Sequence, residues 1–116
     1  MGGSLTGSYN TAVGYNAMLT AAGVSGTTAI GNQALDALTT GDNNTGVGSG
    51  ALGANTTGAS NTAVGYTALD ANTTAANNTG VGYNSLGANT TGEGNTGVGK
   101  DALAVNTTAG NNTAVG

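Results

Sequence analysis

The chain has 116 residues, of which 23 are Gly, 21 Thr, 20 Ala and 16 Asn, and five acidic residues and one Lys give it a formal net charge of −4. It lacks Cys and His, which excludes thiolate and imidazole sites for zinc, iron–sulfur or haem, and we predict no cofactor. One basic residue is too few for a nucleic-acid or anionic-lipid surface. Without His or Cys the usual general bases and nucleophiles are missing, so we predict a protein that is not an enzyme.

A five-residue motif, Asn-Thr-(Ala/Gly)-Val-Gly, recurs at a constant interval of 17 residues. The motif, or its variant over residues 27–31, starts at residues 10, 27, 44, 61, 78, 95 and 112. We number the positions of each repeat from 1 to 17 and the repeats themselves as coils 1 to 7. The sequence predicts a single repeat domain over residues 1–116, in which residues 1–9 form a partial N-terminal repeat.

The length of the repeat sets the predicted fold. Seventeen residues are too few for a two-helix unit, and the Gly, Thr, Val and Asn content disfavours helix. One coil of a parallel β-solenoid fits, with successive coils stacked at about 4.8 Å. We predict an all-β fold with strands at positions 1–4, 8–10 and 12–14 and turns between them.

Two positions carry a large apolar side chain in every full repeat, and we predict that both face the coil interior. Position 4 holds Val or Ile, and position 9 holds Leu or Met. The predicted core columns are Val13, Ile30, Val47, Val64, Val81, Val98 and Val115, together with Met18, Leu35, Leu52, Leu69, Leu86 and Leu103.

Position 5 is Gly in every copy, directly after the predicted strand. Such a Gly indicates a corner with positive φ or a close backbone approach. The predicted corner glycines are Gly14, Gly31, Gly48, Gly65, Gly82, Gly99 and Gly116.

Polar residues also recur in register. Position 2 is Thr in every copy, and alternation along a strand places it on the same face as position 4, inside the coil. Stacked Thr hydroxyls and stacked Asn amides at positions 1 and 12 are predicted to form hydrogen-bonded ladders. The position-12 ladder begins partway along the rod, because Ala21 and Leu38 precede Asn55 in that column.

Position 3 never exceeds Ala in size, which predicts that another surface packs closely against it. That surface is either a neighbouring chain or the opposite wall of a thin coil. The predicted inter-chain contacts are Ala12, Ala29, Gly46, Ala63, Gly80, Gly97 and Ala114. The small apolar content of each coil also favours association, so we predict a homo-trimer or a head-to-tail filament.

The N-terminal residues Met1–Ser4 contain no basic region and no apolar run, so no signal peptide is predicted. No stretch of the sequence is apolar and long enough for a transmembrane helix, and we predict no membrane insertion.

The repeat NTAVGYxALxxNTTGxxNTAVG resembles the tandem repeats of phage and bacterial surface proteins that carry tail-fibre domains. Its pentapeptide is similar to the coil motif in the head domains of trimeric autotransporter adhesins. These resemblances cover about residues 5–116. They imply a left-handed β-roll, three chains per fibre, and an extracellular location on a cell surface or virion.

Several weaker signals have structural explanations. Three Tyr residues share position 6, where they either form an exposed stripe for a glycan or pack on the coil below: Tyr15, Tyr66 and Tyr83. Seven N-x-(S/T) sequons follow from the repeat itself: Asn43, Asn55, Asn72, Asn77, Asn89, Asn106 and Asn111. The Asp residues do not recur at fixed offsets in every coil, so no metal site is predicted.

Two functions fit these observations. The first is a rigid structural segment of an extracellular fibre, such as a phage tail fibre, a bacterial adhesin stalk or a self-assembling filament, with self as its partner and a receptor or glycan unspecified. The alternative is an ice-binding solenoid, because the Asn-Thr-x-Val-Gly pattern also resembles ice-binding β-rolls of plants. The alternative requires a Thr column, at position 2 or position 13, that faces solvent on a flat surface.

Overall fold

The computed structural model describes residues 6–116, which form the predicted parallel β-solenoid. This part of the chain contains seven strands in one sheet, ordered β1 to β7, and each strand pairs in parallel with the next. The strands are β1 Thr11–Val13, β2 Thr28–Ile30, β3 Thr45–Val47, β4 Thr62–Val64, β5 Thr79–Val81, β6 Thr96–Val98 and β7 Thr113–Val115. The rod measures 38 × 21 × 18 Å along its principal axes.

The register of the sheet places equivalent positions of successive coils beside each other. Thr45 pairs with Thr62, and Val47 pairs with Val64. The same offset of 17 residues holds for all six strand pairs. Each position of the repeat therefore becomes a column that runs along the rod, which confirms 17 residues per coil.

Each coil has one strand rather than the three that the sequence predicted. The strand occupies positions 2–4, and positions 6–11 form turns. The prediction of further strands is wrong because positions 7 and 9 have left-handed backbone conformations, as at Thr67 (φ 49°) and Leu69 (φ 54°). Extended pairing cannot run through such residues, although backbone hydrogen bonds between coils continue there, as from Leu52 N to Ala68 O at 3.0 Å.

The Leu and Met column at position 9 lies inside the coil, as predicted. Met18, Leu35, Leu52, Leu69 and Leu86 are all at most 1 % exposed. Leu103 packs against this core from the last full coil, where it is partly buried. A left-handed Leu costs about 1–2 kcal/mol, and burying its side chain contributes about 1.5–3 kcal/mol. Burial therefore offsets the backbone strain at each coil.

The predicted inward orientation of the position-4 column is wrong, because these side chains point away from the coil. The most exposed members are Val13, Ile30, Val64, Val98 and Val115, and Val64 in the middle of the rod is 38 % exposed. Val47 and Val81 are only partly buried. A three-residue strand that turns its middle residue inward must turn both outer residues outward.

Position 3 is the inward residue, and the prediction that it contacts another chain is also wrong. Ala29 and Ala63 are 0 % exposed, and Gly46, Gly80 and Gly97 are buried in the coil interior. Ala12 and Ala114 take the same place in the first and last coils, where they are partly buried.

The Leu column explains why position 3 is small. A Cβ atom added to Gly46 would lie 3.1 Å from Leu35 Cδ1 and 3.2 Å from the Ala51 carbonyl oxygen. The space opposite Leu therefore accepts a methyl group or nothing, and Val does not fit. Of the two surfaces considered for position 3, the structure has the opposite wall of a thin coil.

The corner glycines have the predicted positive φ, between 111° and 143°. They also approach the next coil closely. A Cβ atom on Gly65 would lie 2.3 Å from the carbonyl oxygen of Gly82. Any side chain at position 5 would therefore collide with the backbone of the following coil.

Within residues 6–116 no helix has the length and apolar character needed to cross a membrane. The same residues contain no group of three or more side chains suited to hold a metal ion.

Candidate binding face

The coil interior is fixed by a ladder of buried Asn side chains at position 1. Within coil 4, Asn61 Nδ2 donates to the carbonyl oxygen of Ala75 at 2.8 Å, which closes the coil on itself. Asn61 Oδ1 accepts the backbone N–H of Asn78 at 3.0 Å, which ties coil 5 to coil 4. One side chain thus closes its own coil and sets the register of the next, and the predicted ladder is confirmed.

A second ladder at position 12 uses the same acceptors. Asn72 Nδ2 donates to Ala75 O at 3.0 Å and to Asn55 Oδ1 at 3.0 Å. Asn89 and Asn106 repeat this arrangement in the next two coils. Two amides therefore converge on the carbonyl at position 15 in each of these coils, which makes the interior rigid.

The N-terminal coils replace this polar interior with an apolar one. Ala21 and Leu38 occupy position 12, Val24 occupies position 15 of coil 1, and all three are fully buried. Among the described residues, no buried side-chain nitrogen or oxygen lacks a hydrogen-bond partner. Both interiors are thus internally consistent, as buried polar groups require.

The outer surface of the sheet presents two parallel columns of β-branched side chains, which we name the TV face. The TV face consists of the position-2 residues Thr11, Thr28, Thr45, Thr62, Thr79, Thr96 and Thr113 and the position-4 residues that follow each of them by two. Thr11 and Thr113 are exposed in the end coils, and the other five Thr are partly exposed. The predicted hydroxyl ladder is not found at position 2, because these hydroxyls make no hydrogen bond within the described part of the chain.

The TV face is chemically uniform. It contains no charged residue, and it carries one hydroxyl and several methyl groups in every coil. Val and Ile have one strongly preferred χ1 rotamer in helices, and χ1 of Val, Ile and Thr is restricted elsewhere too, so these side chains lose little conformational freedom when a ligand covers them. Strand pairing at about 4.8 Å sets the repeat along the rod, and two residues of strand set about 6.6 Å across it.

A Thr ladder does exist at position 13. Thr39 Oγ1 donates to the carbonyl oxygen of Thr56 at 2.8 Å, and Thr56 Oγ1 donates to that of Thr73 at 3.0 Å. These hydroxyls are occupied by the backbone of the next coil. The adjacent position-14 residues, such as Thr74, are exposed on a surface that is separate from the sheet.

The structure separates the predicted Tyr stripe into a pair and a single residue. Tyr66 and Tyr83 stack with ring centroids 5.5 Å apart and an angle of 13° between the ring planes. Lys100 Nζ lies 5.8 Å from the Tyr83 ring centroid. Tyr66 and Tyr83 remain 55 % and 51 % exposed, and Tyr15 stands apart at 72 %. The pair satisfies both explanations, because it packs along the rod and is also accessible.

The sequons divide into two groups. Asn55, Asn72 and Asn89 are buried members of the position-12 ladder, and Asn106 ends it. The remaining three lie exposed at position 17 in every second coil: Asn43, Asn77 and Asn111.

Two acidic residues at position 10 face each other across coil 3. Both Asp70 Oδ1 and Asp36 Oδ1 lie near Gly53, at 2.7 Å and 3.8 Å from the place that a Cβ atom would take. Burial, and then the negative charge of Asp36, raise the pKa of the Asp70 carboxyl above its model value of 3.8. Sequence reasoning did not pair these residues, although their spacing of two coils at one position was a usable signal.

This raised pKa predicts a pH-dependent stability. A carboxyl that binds its proton more tightly in the folded chain destabilises the fold as pH rises from about 4 through the raised pKa. We therefore expect Asp70→Asn to raise the melting temperature at pH 7 and to leave it unchanged at pH 3. Thermal unfolding at both pH values measures this, with Glu93→Gln as a control that removes a carboxylate at an exposed position in another column. Equal stabilisation by both variants would contradict the prediction.

Comparison of the chain with protein-family models, curated proteins and solved structures finds no match.

Proposed function

We propose that this chain is a non-enzymatic binding rod whose TV face adsorbs to the surface of ice. The observation that carries the proposal is the outward orientation of the position-2 and position-4 columns on a parallel, in-register sheet. A crystal surface repeats at a fixed spacing, and its ligand must repeat likewise. Thr hydroxyls and Val methyl groups, held at strand spacing by a rigid interior, provide such an array.

The interior supports this proposal through rigidity. The ladders at positions 1 and 12 link each coil to the next, so the spacing of the TV face does not depend on flexible side chains. Pre-organisation lowers the free-energy cost of binding. The absence of charge on the TV face further favours a neutral, ordered water layer over an ionic partner.

The size of the TV face argues against a stable two-chain contact. Seven three-residue strands cover about 30 Å by 10 Å, or roughly 300 Å² on each chain. A stable protein interface buries about 800 Å² on each partner. Adsorption to ice has no such threshold for a single molecule, because the crystal extends beyond the rod and every coil makes the same contact.

A matched pair of variants tests the proposal. Thr62→Lys places a long charged side chain in the middle of the TV face, and we expect it to remove most of the thermal hysteresis. Thr74→Lys makes the same change in the same coil, but on the separate exposed surface, and we expect it to retain activity. Circular dichroism checks the fold of both variants. Equal activity of the two variants, or none in the unmodified chain, would contradict the proposal.

A second candidate function is a segment of an extracellular fibre, in which TV faces of three chains meet along a common axis. The exposure of Val64 and Ile30 favours it, because apolar columns along a rod are suited to repeated contact between chains. The resemblance to tail-fibre and adhesin repeats points the same way. In this case the contact is formed by positions 2 and 4, since position 3 is inside the coil.

Light scattering separates the two candidates. The ice-binding candidate predicts a monomer at micromolar concentration with measurable thermal hysteresis. The fibre candidate predicts a trimer without hysteresis, dissociated by Thr62→Lys and unaffected by Thr74→Lys.

A further inference from the structure

One irregularity interrupts the surface next to the TV face. In coil 3 the outward positions 6, 7 and 10 are Ser49, Gly50 and Gly53, which carry almost no side chain. The flanking coils carry larger groups at the same positions, with Asp36 in coil 2 and Tyr66 in coil 4. The result is a notch one coil wide, which we name the coil-3 notch.

The two walls of the coil-3 notch differ in character. One face of the Tyr66 ring is covered by Tyr83, so the opposite face is directed toward coil 3 and the small Ser49. Asp70 reaches over the floor from the Tyr66 side, and Asp36 approaches the same floor from the other side. Coils 2 and 4 are two strand spacings apart, about 9.6 Å, which leaves one coil width between the walls.

From this juxtaposition we infer that the coil-3 notch binds a neutral pyranose sugar. The open face of Tyr66 stacks on the C–H face of the sugar ring, and the carboxylates of Asp36 and Asp70 accept hydrogen bonds from its hydroxyl groups. Hydrogen bonds to a charged acceptor are stronger than neutral ones. Two carboxylates on one site repel an anionic sugar, so the same chemistry excludes uronic acids.

Nothing within the chain fills the notch by necessity. A Cβ atom added to Gly50 would meet Thr67 Cγ2 at 3.5 Å and Asp70 Oδ1 at 3.7 Å, which are ordinary contacts. The left-handed backbone at Gly50 (φ 69°) accepts Asn, since Asn16 and Asn84 have the same sign of φ at the same position. Gly50→Asn is therefore a substitution that fills the notch and preserves the fold.

The test is a titration followed by backbone amide NMR signals, with methyl glycosides of glucose, galactose and mannose and with sodium glucuronate as probes. We expect at least one neutral glycoside to shift the amide signals of Ser49, Gly50 and Gly53, with a dissociation constant on the order of 1 mM. Glucuronate is expected to leave them unchanged. Tyr66→Ala is expected to weaken binding about tenfold, as the loss of one aromatic stack predicts.

Two further variants make the outcome decisive. Gly50→Asn is expected to abolish the shifts, whereas Tyr15→Ala, which removes the isolated Tyr of the same column, is expected to retain them. The inference is overturned if no neutral glycoside shifts these signals, if glucuronate binds equally well, or if Tyr15→Ala and Tyr66→Ala have the same effect. None of these results bears on ice binding, which uses a different face.

Discussion

Replacing Gly65 with Ala is expected to destabilise the solenoid by about 4 kcal/mol, which combines the strain of a left-handed backbone and the overlap of a buried group. The backbone at Gly65 has φ 143°, and an added Cβ atom would lie 2.3 Å from Gly82 O and 2.6 Å from Gly82 C. Both atoms belong to the backbone of the next coil, which cannot move without breaking the ladder from Val47 O to Gly65 N. Denaturant unfolding monitored by circular dichroism measures the loss.

Gly116 provides the control for this substitution. It occupies the same position of the repeat and also has positive φ, at 111°, but no atom lies within 4 Å of its added Cβ atom. Gly116→Ala is therefore expected to have a much smaller effect than Gly65→Ala. Similar losses from the two variants would show that local strain, and not the collision between coils, requires Gly at position 5.

Removing one rung of the buried Asn ladder is the second large effect that we expect. Asn78 Nδ2 donates to Gly92 O at 2.8 Å, and Asn78 Oδ1 accepts the backbone N–H of Asn95 at 2.8 Å. In Asn78→Ala, Gly92 O keeps the donor Asn89, but the buried Asn95 N–H loses its partner. An unpaired buried donor and a small cavity together predict a loss of about 2–4 kcal/mol, measured by the denaturant midpoint.

Two comparisons accompany this variant. Asn32→Ala, at an exposed site, is expected to change stability little. Thr27→Asn is expected to stabilise the chain by about 1 kcal/mol, because Thr27 interrupts the ladder with a weak hydrogen bond of 3.4 Å from Asn44 N. A neutral Asn78→Ala, or a destabilising Thr27→Asn, would mean that the ladder does not set coil stability.

The spacing of the sequence predicted the features that depend on periodicity. Seven motif copies at equal intervals predicted stacked parallel coils, and the Gly at position 5 predicted a corner with positive φ. The two Asn columns predicted ladders because stacked amides have few other partners in a thin coil. These features follow from which residues share a column, and a column is visible in the sequence.

The sidedness of the strand was not predicted correctly. Alternation states that positions 2 and 4 share a face, but it does not state which face is inside. The size of Val suggested the interior, whereas the width of the coil decides, since Leu35 leaves room for only Gly46 opposite it. The restriction of position 3 to Ala or Gly was the signal for this arrangement, and its other explanation was a neighbouring chain.

The left-handed Leu residues at position 9 also escaped sequence reasoning. A non-Gly residue with positive φ is uncommon, so a run such as Ala68-Leu69 is normally expected to be extended. The hydrogen bond from Leu69 N to Ser85 O, together with burial of the side chain, sustains the strained conformation. Tertiary packing therefore overrides local preference at this position.

The measurement that tests the central claim most directly is partitioning of the unmodified protein into slowly growing ice. We expect the protein to enter the ice phase at a concentration similar to that of the starting solution, because the TV face adsorbs to the advancing front. Exclusion from the ice to the same extent as a non-binding protein of similar size would contradict the proposal that the TV face binds ice.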